Sequence, residues 1–251
     1  MRIAIAGGTG TLGRGVAEEL RSRGHEVRVL SRRSGRFRVD LATGAGLGPA
    51  LDGCDVVVDA SNDSSRHAAQ TMVEGSRRLL AAEQAAGVGH HVAVSIVGCE
   101  QVPMGYFRVK AEQERVVSAG PVPWSLVRAT QFHELFAGAL TAAARWRVLP
   151  VPRAALQTVA AGEVARVVAH VAEGTPGRGR VEVAGPEVAD AREMARIWRS
   201  ATGRRALLLP VPLPGQLGRA LRRGVLVSQR PDVTGTVRFA DWLTSPVPVS
   251  R

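Results

Sequence analysis

The stretch Arg2-Ile3-Ala4-Ile5-Ala6-Gly7-Gly8-Thr9-Gly10-Thr11-Leu12-Gly13 stands at the start of the 251-residue chain. A short apolar run is followed by three glycines at a spacing of three residues, and then by a segment with Leu12, Val16 and Leu20 on one helical face. The order strand, glycine-rich turn, helix is the context in which such a turn binds phosphate through backbone amides. It predicts the first βαβ unit of a nucleotide-binding sheet.

Short apolar segments alternate with amphipathic ones through the first half of the chain. Strands are predicted at 2–6, 26–30, 55–59, 91–96 and 124–128, with helices at 12–23, 66–86 and 107–119. This alternation indicates an α/β fold, a doubly wound parallel sheet of the Rossmann type with right-handed crossovers.

The pattern loosens after Thr130. Helices are predicted at 131–144, 164–173 and 190–202, a strand at 180–184, and extended proline-containing segments at 149–152 and 207–214. We expect a single domain over 1–251, with a core of roughly 1–130 and 155–185. A small C-terminal substrate lobe is expected over roughly 131–154 and 186–251.

Composition narrows the range of partners. The net charge of +11 comes mostly from arginines that are scattered or in short pairs, so no nucleic acid partner is expected. The sequence shows no leader and no apolar run long enough to span a bilayer, which predicts a cytoplasmic protein without a membrane partner. Cys54 and Cys99 fit a reducing compartment.

Because His90 and His91 lack a carboxylate at ligand spacing, no metal is expected. The oligomeric state, monomer or homodimer, stays open.

The end of the second predicted strand indicates the cofactor type. NAD enzymes usually offer an acidic residue there, whereas this chain has Ser31-Arg32-Arg33. Guanidinium groups hold the extra phosphate of NADP with charge-assisted bonds, and Arg14 is a further candidate. NADP(H) is therefore predicted over NAD(H), the alternative being that these arginines only cover the surface. Asp40 and Leu41 are candidates for the adenine edge.

Tyr106 is the only tyrosine and Lys110 the only lysine, and they stand one helical turn apart. A nearby ammonium favours the ionised phenol and would lower its pKa, so that Tyr106 exchanges a proton with a carbonyl oxygen during hydride transfer. Lys110 would also hold the nicotinamide ribose. The alternative is an exposed helix with an ordinary tyrosine and an ordinary lysine.

The set of motifs that begins with the glycine turn also includes Ala60, Ser95, Tyr106-x-x-x-Lys110 and Arg128-Ala129-Thr130-Gln131-Phe132. In these motifs the chain resembles a short-chain dehydrogenase/reductase. Its compact size, the segment 24–32 and Val183-Ala184-Gly185-Pro186 resemble the atypical, NmrA-like branch. The resemblance implies that Tyr106 and Lys110 are catalytic, while Ser95 is either the catalytic hydroxyl or only a strand cap. It also implies that the cofactor is contacted by Gly7, Thr9, Gly10, Thr11, Leu12, Gly13, Ala60 and Ser61, with Ala129, Thr130 and Gln131 flanking the nicotinamide.

The predicted function is that of an NADPH-dependent oxidoreductase acting on a small carbonyl-type molecule. Its substrate would contact Gln131, Phe132 and His133, although His133 has the alternative of a polar residue bonded to backbone. Two other functions use the same residues. One is an NAD(P)-dependent epimerase or dehydratase, and the other is a non-catalytic, NADP(H)-sensing regulatory protein.

Overall fold

A computed structural model describes residues 1–32, 35–102 and 105–245. Within these residues it has an eight-stranded parallel sheet in the order β12-β9-β6-β5-β4-β1-β2-β3 and two small two-stranded sheets, β8 with β10 and β7 with β11. The strands are β1 (Arg2–Ala6), β2 (Glu26–Ser31), β3 (Phe37–Arg38), β4 (Val56–Asp59), β5 (His90–Ile96), β6 (Trp124–Ala129), β7 (Val148–Pro152), β8 (Ala155–Leu156), β9 (Arg180–Ala184), β10 (Ala189–Asp190), β11 (Leu207–Val211) and β12 (Val233–Thr234). The predicted Rossmann-type α/β fold is confirmed.

Strand β1 lies between β2 and β4, and this position explains its sequence. Ile3 pairs with Val27 on one side and with Val56 on the other. The side chains from Ile3 to Ile5 have no exposed surface, because helices cover both faces of the sheet. A strand in this position is a continuous apolar run rather than an alternating one.

The helices connect the strands and cover the sheet. They are α1 (Thr11–Ser22), α2 (Leu47–Leu51), α3 (Gly75–Ala86), α4 (Gly105–Ser118), α5 (His133–Ala144), α6 (Ala161–Glu173), α7 (Ala191–Thr202), α8 (Gly215–Arg222) and α9 (Phe239–Thr244). Helix α1 buries Leu12, Val16 and Leu20, as predicted. It ends before Gly24, which has φ +85° and the left-handed conformation that glycine adopts without strain.

The chain divides into two compact units. Among the described residues, the first comprises Met1–Arg128 with Gly162–Val181, and the second comprises Ala129–Ala161 with 182–245. The expected core comprised roughly 1–130 and 155–185, whereas 129–130, 155–161 and 182–185 group with the second unit. Leu79, Val57 and Leu126 form part of the core of the first unit. Leu149, Trp198 and Phe239 form part of the core of the second.

The helix predicted over 66–86 differs from the structure at its start. A π-helical turn, Ala69–Glu74, precedes α3. Gly75 then lies against Leu41, where an added Cβ would come within 3.1 Å of the Leu41 Cβ. Hydrophobic periodicity does not distinguish a π-helical turn from an α-helical one, so the sequence could not locate this change.

Candidate dinucleotide site

Close backbone contacts determine the shape of the glycine turn. Gly7 has φ +72°, and a Cβ on it would lie 2.5 Å from the Ala60 carbonyl oxygen. A Cβ on Gly13 would meet the Gly7 carbonyl oxygen and lie 2.7 Å from the Gly8 Cα. Real Cβ atoms do not approach backbone this closely, so only glycine fits at positions 7 and 13.

Helix α1 begins directly after this turn. Its N-cap is Gly10, whose carbonyl oxygen accepts a hydrogen bond from the Arg14 amide at 3.0 Å. The amides of Thr11, Leu12 and Gly13 precede this first helical bond, and the first turn contains no acidic side chain. The helix start can therefore donate to the phosphates of a nucleotide.

A cavity of about 200 Å³ lies beside the turn, at the carboxyl ends of β1, β2 and β4. Its lining residues are Ala6, Gly7, Thr9, Gly10, Leu30, Ser31, Arg32, Val39, Leu41, Ala60, Ser61, Asn62 and Thr71. The structure thus brings together eight of the predicted cofactor residues: Gly7, Thr9, Gly10, Ser31, Arg32, Leu41, Ala60 and Ser61.

Several of the other predicted cofactor residues are described but are not part of this lining, among them Arg14 and Asp40. Arg14 is exposed on α1. The Asp40 carboxylate accepts the Ala42 amide at 2.9 Å and so stabilises the turn after β3, while its place at the adenine edge stays a prediction. Arg33 lies outside the described residues.

The lining fits a dinucleotide. Ser61 Oγ is buried and has no hydrogen-bond partner among the described residues, although it belongs to the cavity wall. Buried hydroxyl groups are nearly always paired, so this one is available to a ligand. The glycines leave room for the pyrophosphate, and Leu30, Val39 and Leu41 provide an apolar wall for a base.

Asp59, which the sequence did not single out, holds the Ser61 edge of the cavity. This carboxylate has no exposed surface and accepts the Ser61 amide at 3.0 Å. Its other oxygen accepts from Ser76 Oγ at 3.0 Å and from Gln113 Nε2 at 3.1 Å. A carboxylate at the end of a buried strand is a signal that could have identified it.

Lys110 belongs to the same buried network. Its ammonium group donates to the Val94 carbonyl oxygen and to Gln113 Oε1, both at 2.7 Å. Burial lowers the pKa of Lys110, and the negative charge of Asp59 opposes this effect. Through Gln113, Lys110 is connected to Asp59 and to the edge of the cavity.

Tyr106 is hydrogen-bonded to a residue of the cavity wall, but it is not in the expected electrostatic environment. Its hydroxyl donates to Asn62 Oδ1 at 2.7 Å, and Asn62 is a lining residue that the sequence analysis missed. Burial raises the pKa of Tyr106 to about 12, with a smaller contribution from Cys99. The expectation that Lys110 lowers this pKa is therefore corrected: the ammonium is bonded to Val94 and Gln113.

Ser95 is separated from the proposed proton donor. Its hydroxyl lies 3.8 Å from Cys99 Sγ and also hydrogen-bonds the Glu114 carboxylate. Glu114 in turn accepts two bonds from Arg128, at 2.9 and 2.6 Å. The structure gives Ser95 these buried partners and no described contact with Tyr106.

The Glu114–Arg128 pair makes stability depend on pH. Burial tends to raise the pKa of Glu114, but hydrogen bonds from Arg128 and Ser95 outweigh it and leave the pKa below its ordinary value of 4.5. The contribution of this carboxylate to stability is therefore present above pH 4.5 and is lost as the pH falls through the lower pKa of the folded state.

We expect Glu114→Gln to lower the free energy of unfolding by about 1.5 to 3 kcal/mol at neutral pH. Urea unfolding should show this difference shrinking in acid, and a difference that grows in acid would contradict this assignment.

The remaining predicted site residues belong to the second unit. Ala129 and Thr130 are buried, and Thr130 Oγ1 accepts the Gly185 amide at 3.2 Å. Gln131 Nε2 donates to the Leu226 carbonyl oxygen at 3.1 Å, and Phe132 is the N-cap residue of α5. The roles assigned to these four residues at the nicotinamide and the substrate stay predictions.

His133 requires a correction. Its side chain has no exposed surface, and its ring nitrogens lie 2.8 Å from Thr158 Oγ1 and 3.0 Å from the Val237 carbonyl oxygen. The ring also packs against Phe239 and Trp242. It is a satisfied core residue rather than a substrate contact.

The described residues contain neither a cluster of metal ligands nor a membrane-spanning helix. No group of three or more histidine, cysteine, aspartate or glutamate side chains is arranged to hold a metal ion. No described helix is both long enough and apolar enough to cross a membrane.

A glycine turn that opens a helix, beside a cavity at the ends of parallel strands, defines a dinucleotide-binding protein of the Rossmann type. Residues 7–175 match the family described as NAD(P)H-binding, and the chain belongs to that family. The resemblance stated from the sequence is thereby confirmed.

Curated relatives match only part of the chain. The photosystem II assembly factor Ycf39 of Synechocystis is 36% identical over 117 residues, which are 41% of this chain and 36% of that protein. The mouse epimerase family protein SDR39U1 is 39% identical over 64 residues, 26% of this chain and 21% of that protein. The chain thus covers about a fifth to a third of these two relatives.

Solved structures share the fold over nearly the whole chain. A nucleoside-diphosphate-sugar epimerase from Staphylococcus aureus superposes with a TM-score of 0.79 at 18% identity, covering 98% of this chain and 100% of that one. The NADPH-dependent quinone oxidoreductase QOR2 of Escherichia coli, in complex with NADPH, gives 0.77 at 18% identity, covering 96% and 98%. At this identity the likeness establishes the fold alone.

Proposed function

We propose that this protein is an NADPH-dependent oxidoreductase that reduces the carbonyl group of a small molecule, with Tyr106 as the proton donor. The observation that carries the proposal is the 2.7 Å hydrogen bond from the Tyr106 hydroxyl to Asn62, a residue of the cavity wall. It joins a titratable hydroxyl to the site that would hold the cofactor.

In the proposed reaction, some residues of the first unit bind the cofactor and another supplies the proton. NADPH, when bound, supplies a hydride to the carbonyl carbon. The amides at the start of α1 bind the pyrophosphate, and Ser61 Oγ is available as a further donor or acceptor. Tyr106 breaks its O–H bond and transfers the proton to the carbonyl oxygen, which has gained the electron pair of the C–O π bond. The resulting tyrosinate takes a proton back from solvent.

The pKa of Tyr106 determines the form of its hydroxyl at neutral pH. A phenol with a pKa of about 12 is protonated there, which is the form that can donate a proton to a carbonyl oxygen. Reduction needs an acid at this position, whereas oxidation of an alcohol needs a base. In this mechanism Lys110 is a positioning residue, since it supports the cavity edge through Gln113 and Asp59.

Arg32 supports the preference for NADPH. It belongs to the cavity lining at the end of β2, where the 2′-phosphate is bound in dinucleotide folds of this type. We expect Arg32→Ser to weaken NADPH binding by about tenfold, because one charge-assisted bond is lost, while the Kd for NADH changes by less than about twofold. Fluorescence titration measures both constants, and Arg21→Ser, an exposed arginine of α1, is the matched control. Equal weakening for both cofactors would contradict the assignment.

A non-catalytic, NADP(H)-sensing role is the second candidate. It is favoured by the partners of Ser95 and Lys110, because both side chains are bonded within the protein. This role predicts tight NADPH binding without oxidation of the cofactor by any carbonyl compound.

The deciding experiment is NADPH consumption with a panel of aldehydes, ketones and quinones. Loss of nicotinamide absorbance in stoichiometric proportion to product supports the reductase. Substrate conversion without net loss of absorbance indicates an epimerase or dehydratase. Cofactor binding without any conversion indicates the sensing role.

A further inference from the structure

The second unit has an exposed apolar sheet face formed by β7 and β11. These strands are parallel, with Val148 opposite Leu207 and Pro150 opposite Leu209. Leu149 and Val151 are buried on the inner face, so the alternating residues lie on the outer one. On that face Leu207 is 66% exposed and Leu209 46% exposed, and Trp146, just before β7, is 77% exposed.

The two stretches of sequence that contain these strands are rich in arginine and free of acidic residues. The segment 135–161 contains three arginines, and the segment 194–231 contains eight, yet neither has an aspartate or a glutamate. A cavity of about 660 Å³ is lined by Arg196, Arg199, Arg204 and Arg205 and reaches Leu207 at its edge. Positive charge and exposed apolar side chains therefore occur side by side.

We propose that this basic apolar face, formed by Trp146, β7, β11 and the arginine-lined cavity, binds the surface of an anionic lipid bilayer. Arginine guanidinium groups would pair with lipid phosphates in the headgroup layer, and the cavity has room for a headgroup. Trp146, Leu207 and Leu209 would enter the boundary with the acyl chains. This binding requires no spanning segment, so the absence of a long apolar run in the sequence does not bear on it.

Other occupants of the face fit less well. Nucleic acid would pair with the arginines but would leave the exposed leucines in water, and Trp146 alone offers little stacking surface. A second copy of the chain would bring the two sets of arginines close together, which like-charge repulsion disfavours. A bilayer offers anionic and apolar layers in the same order as the protein presents them.

Vesicle flotation tests the proposal with the whole protein. Binding is expected to phosphatidylcholine vesicles that contain phosphatidylglycerol, to weaken with added salt, and to be at least tenfold weaker on phosphatidylcholine alone. Arg204→Gln/Arg205→Gln should reduce the binding about tenfold or more. Trp146→Gln/Leu207→Gln should also reduce it several-fold, since apolar contact is lost. The matched control, Arg21→Gln/Arg66→Gln, removes the same charge from exposed positions of the first unit and should change binding by less than about twofold.

Acrylamide quenching gives an independent readout. Trp198 is 1% exposed, Trp124 is 9% exposed and Trp242 is half-buried, so Trp146, at 77%, is the most accessible of the four tryptophans, and quenching should decrease when anionic vesicles are added. Trp146→Phe should remove this protection while leaving the flotation result in place. Circular dichroism confirms that each variant is folded.

Several results would overturn the proposal. These are failure of the wild-type protein to float with anionic vesicles, an equal loss in the control pair, or full binding by Trp146→Gln/Leu207→Gln. Competition by inorganic phosphate as strong as by lipid would indicate a free anion site. Binding to a glutamate-rich peptide without binding to vesicles would indicate a protein partner.

Discussion

Gly13→Ala is expected to weaken NADPH binding at least about 100-fold. A Cβ at this position would meet the Gly7 carbonyl oxygen and lie 2.7 Å from the Gly8 Cα. Both neighbours are backbone atoms, so they cannot rotate away as a side chain would. The turn must open, which separates the glycine turn from the amides at the start of α1 and removes the phosphate contacts.

A matched glycine separates this effect from the general cost of the substitution. Gly48, in α2, has no atom within 4 Å of an added Cβ, and Gly48→Ala should leave the Kd for NADPH unchanged within about twofold. Calorimetric titration gives the two constants, and thermal unfolding shows whether Gly13→Ala remains folded. A folded Gly13→Ala protein with wild-type affinity would refute the assignment of the turn.

Tyr106→Phe is expected to lower kcat by about 100-fold to 10,000-fold, the usual contribution of a positioned general acid. The substitution keeps the ring, including its edge contact with Phe107. It removes only the hydroxyl, which donates a hydrogen bond to Asn62 Oδ1. The Kd for NADPH should stay within about threefold, because the hydroxyl is not required for the phosphate contacts.

Asn62→Ala is the companion variant. It removes the hydrogen-bond partner of the hydroxyl but leaves the proton donor in place, so its kcat should fall less than that of Tyr106→Phe. Single-turnover measurements with saturating NADPH separate chemistry from product release. A Tyr106→Phe protein that retains full turnover would exclude Tyr106 as the acid, and the sensing role would then be preferred if no other donor is found.

The sheet and the turn could be predicted because local sequence determines them. Strand β1 is a short apolar run and β9 is a short segment with two valines, each is followed by glycine, and both match the predicted limits. The glycine at position 24 marks the end of α1 because its left-handed φ is unfavourable for other residues. The prolines between 207 and 214 indicated an extended segment, and the structure pairs part of it, β11, with β7.

The partners of buried polar groups could not be predicted in the same way. The helical spacing of Tyr106 and Lys110 is a local property, but the choice of the Val94 carbonyl as the partner of Lys110 depends on how α4 packs against β5. The same holds for His133, whose partners are 25 and 104 residues away along the chain. Long-range pairing of this kind is decided by tertiary packing, which residue spacing does not encode.

The most direct test of the central claim is titration of the wild-type protein and of Gly13→Ala with NADPH, NADP, NADH and NAD. We predict that the wild-type protein binds NADPH at least about tenfold more tightly than NADH, and that Gly13→Ala loses this binding while it remains folded. Failure of the wild-type protein to bind any of the four nucleotides, or equal binding by the folded Gly13→Ala variant, would contradict the account.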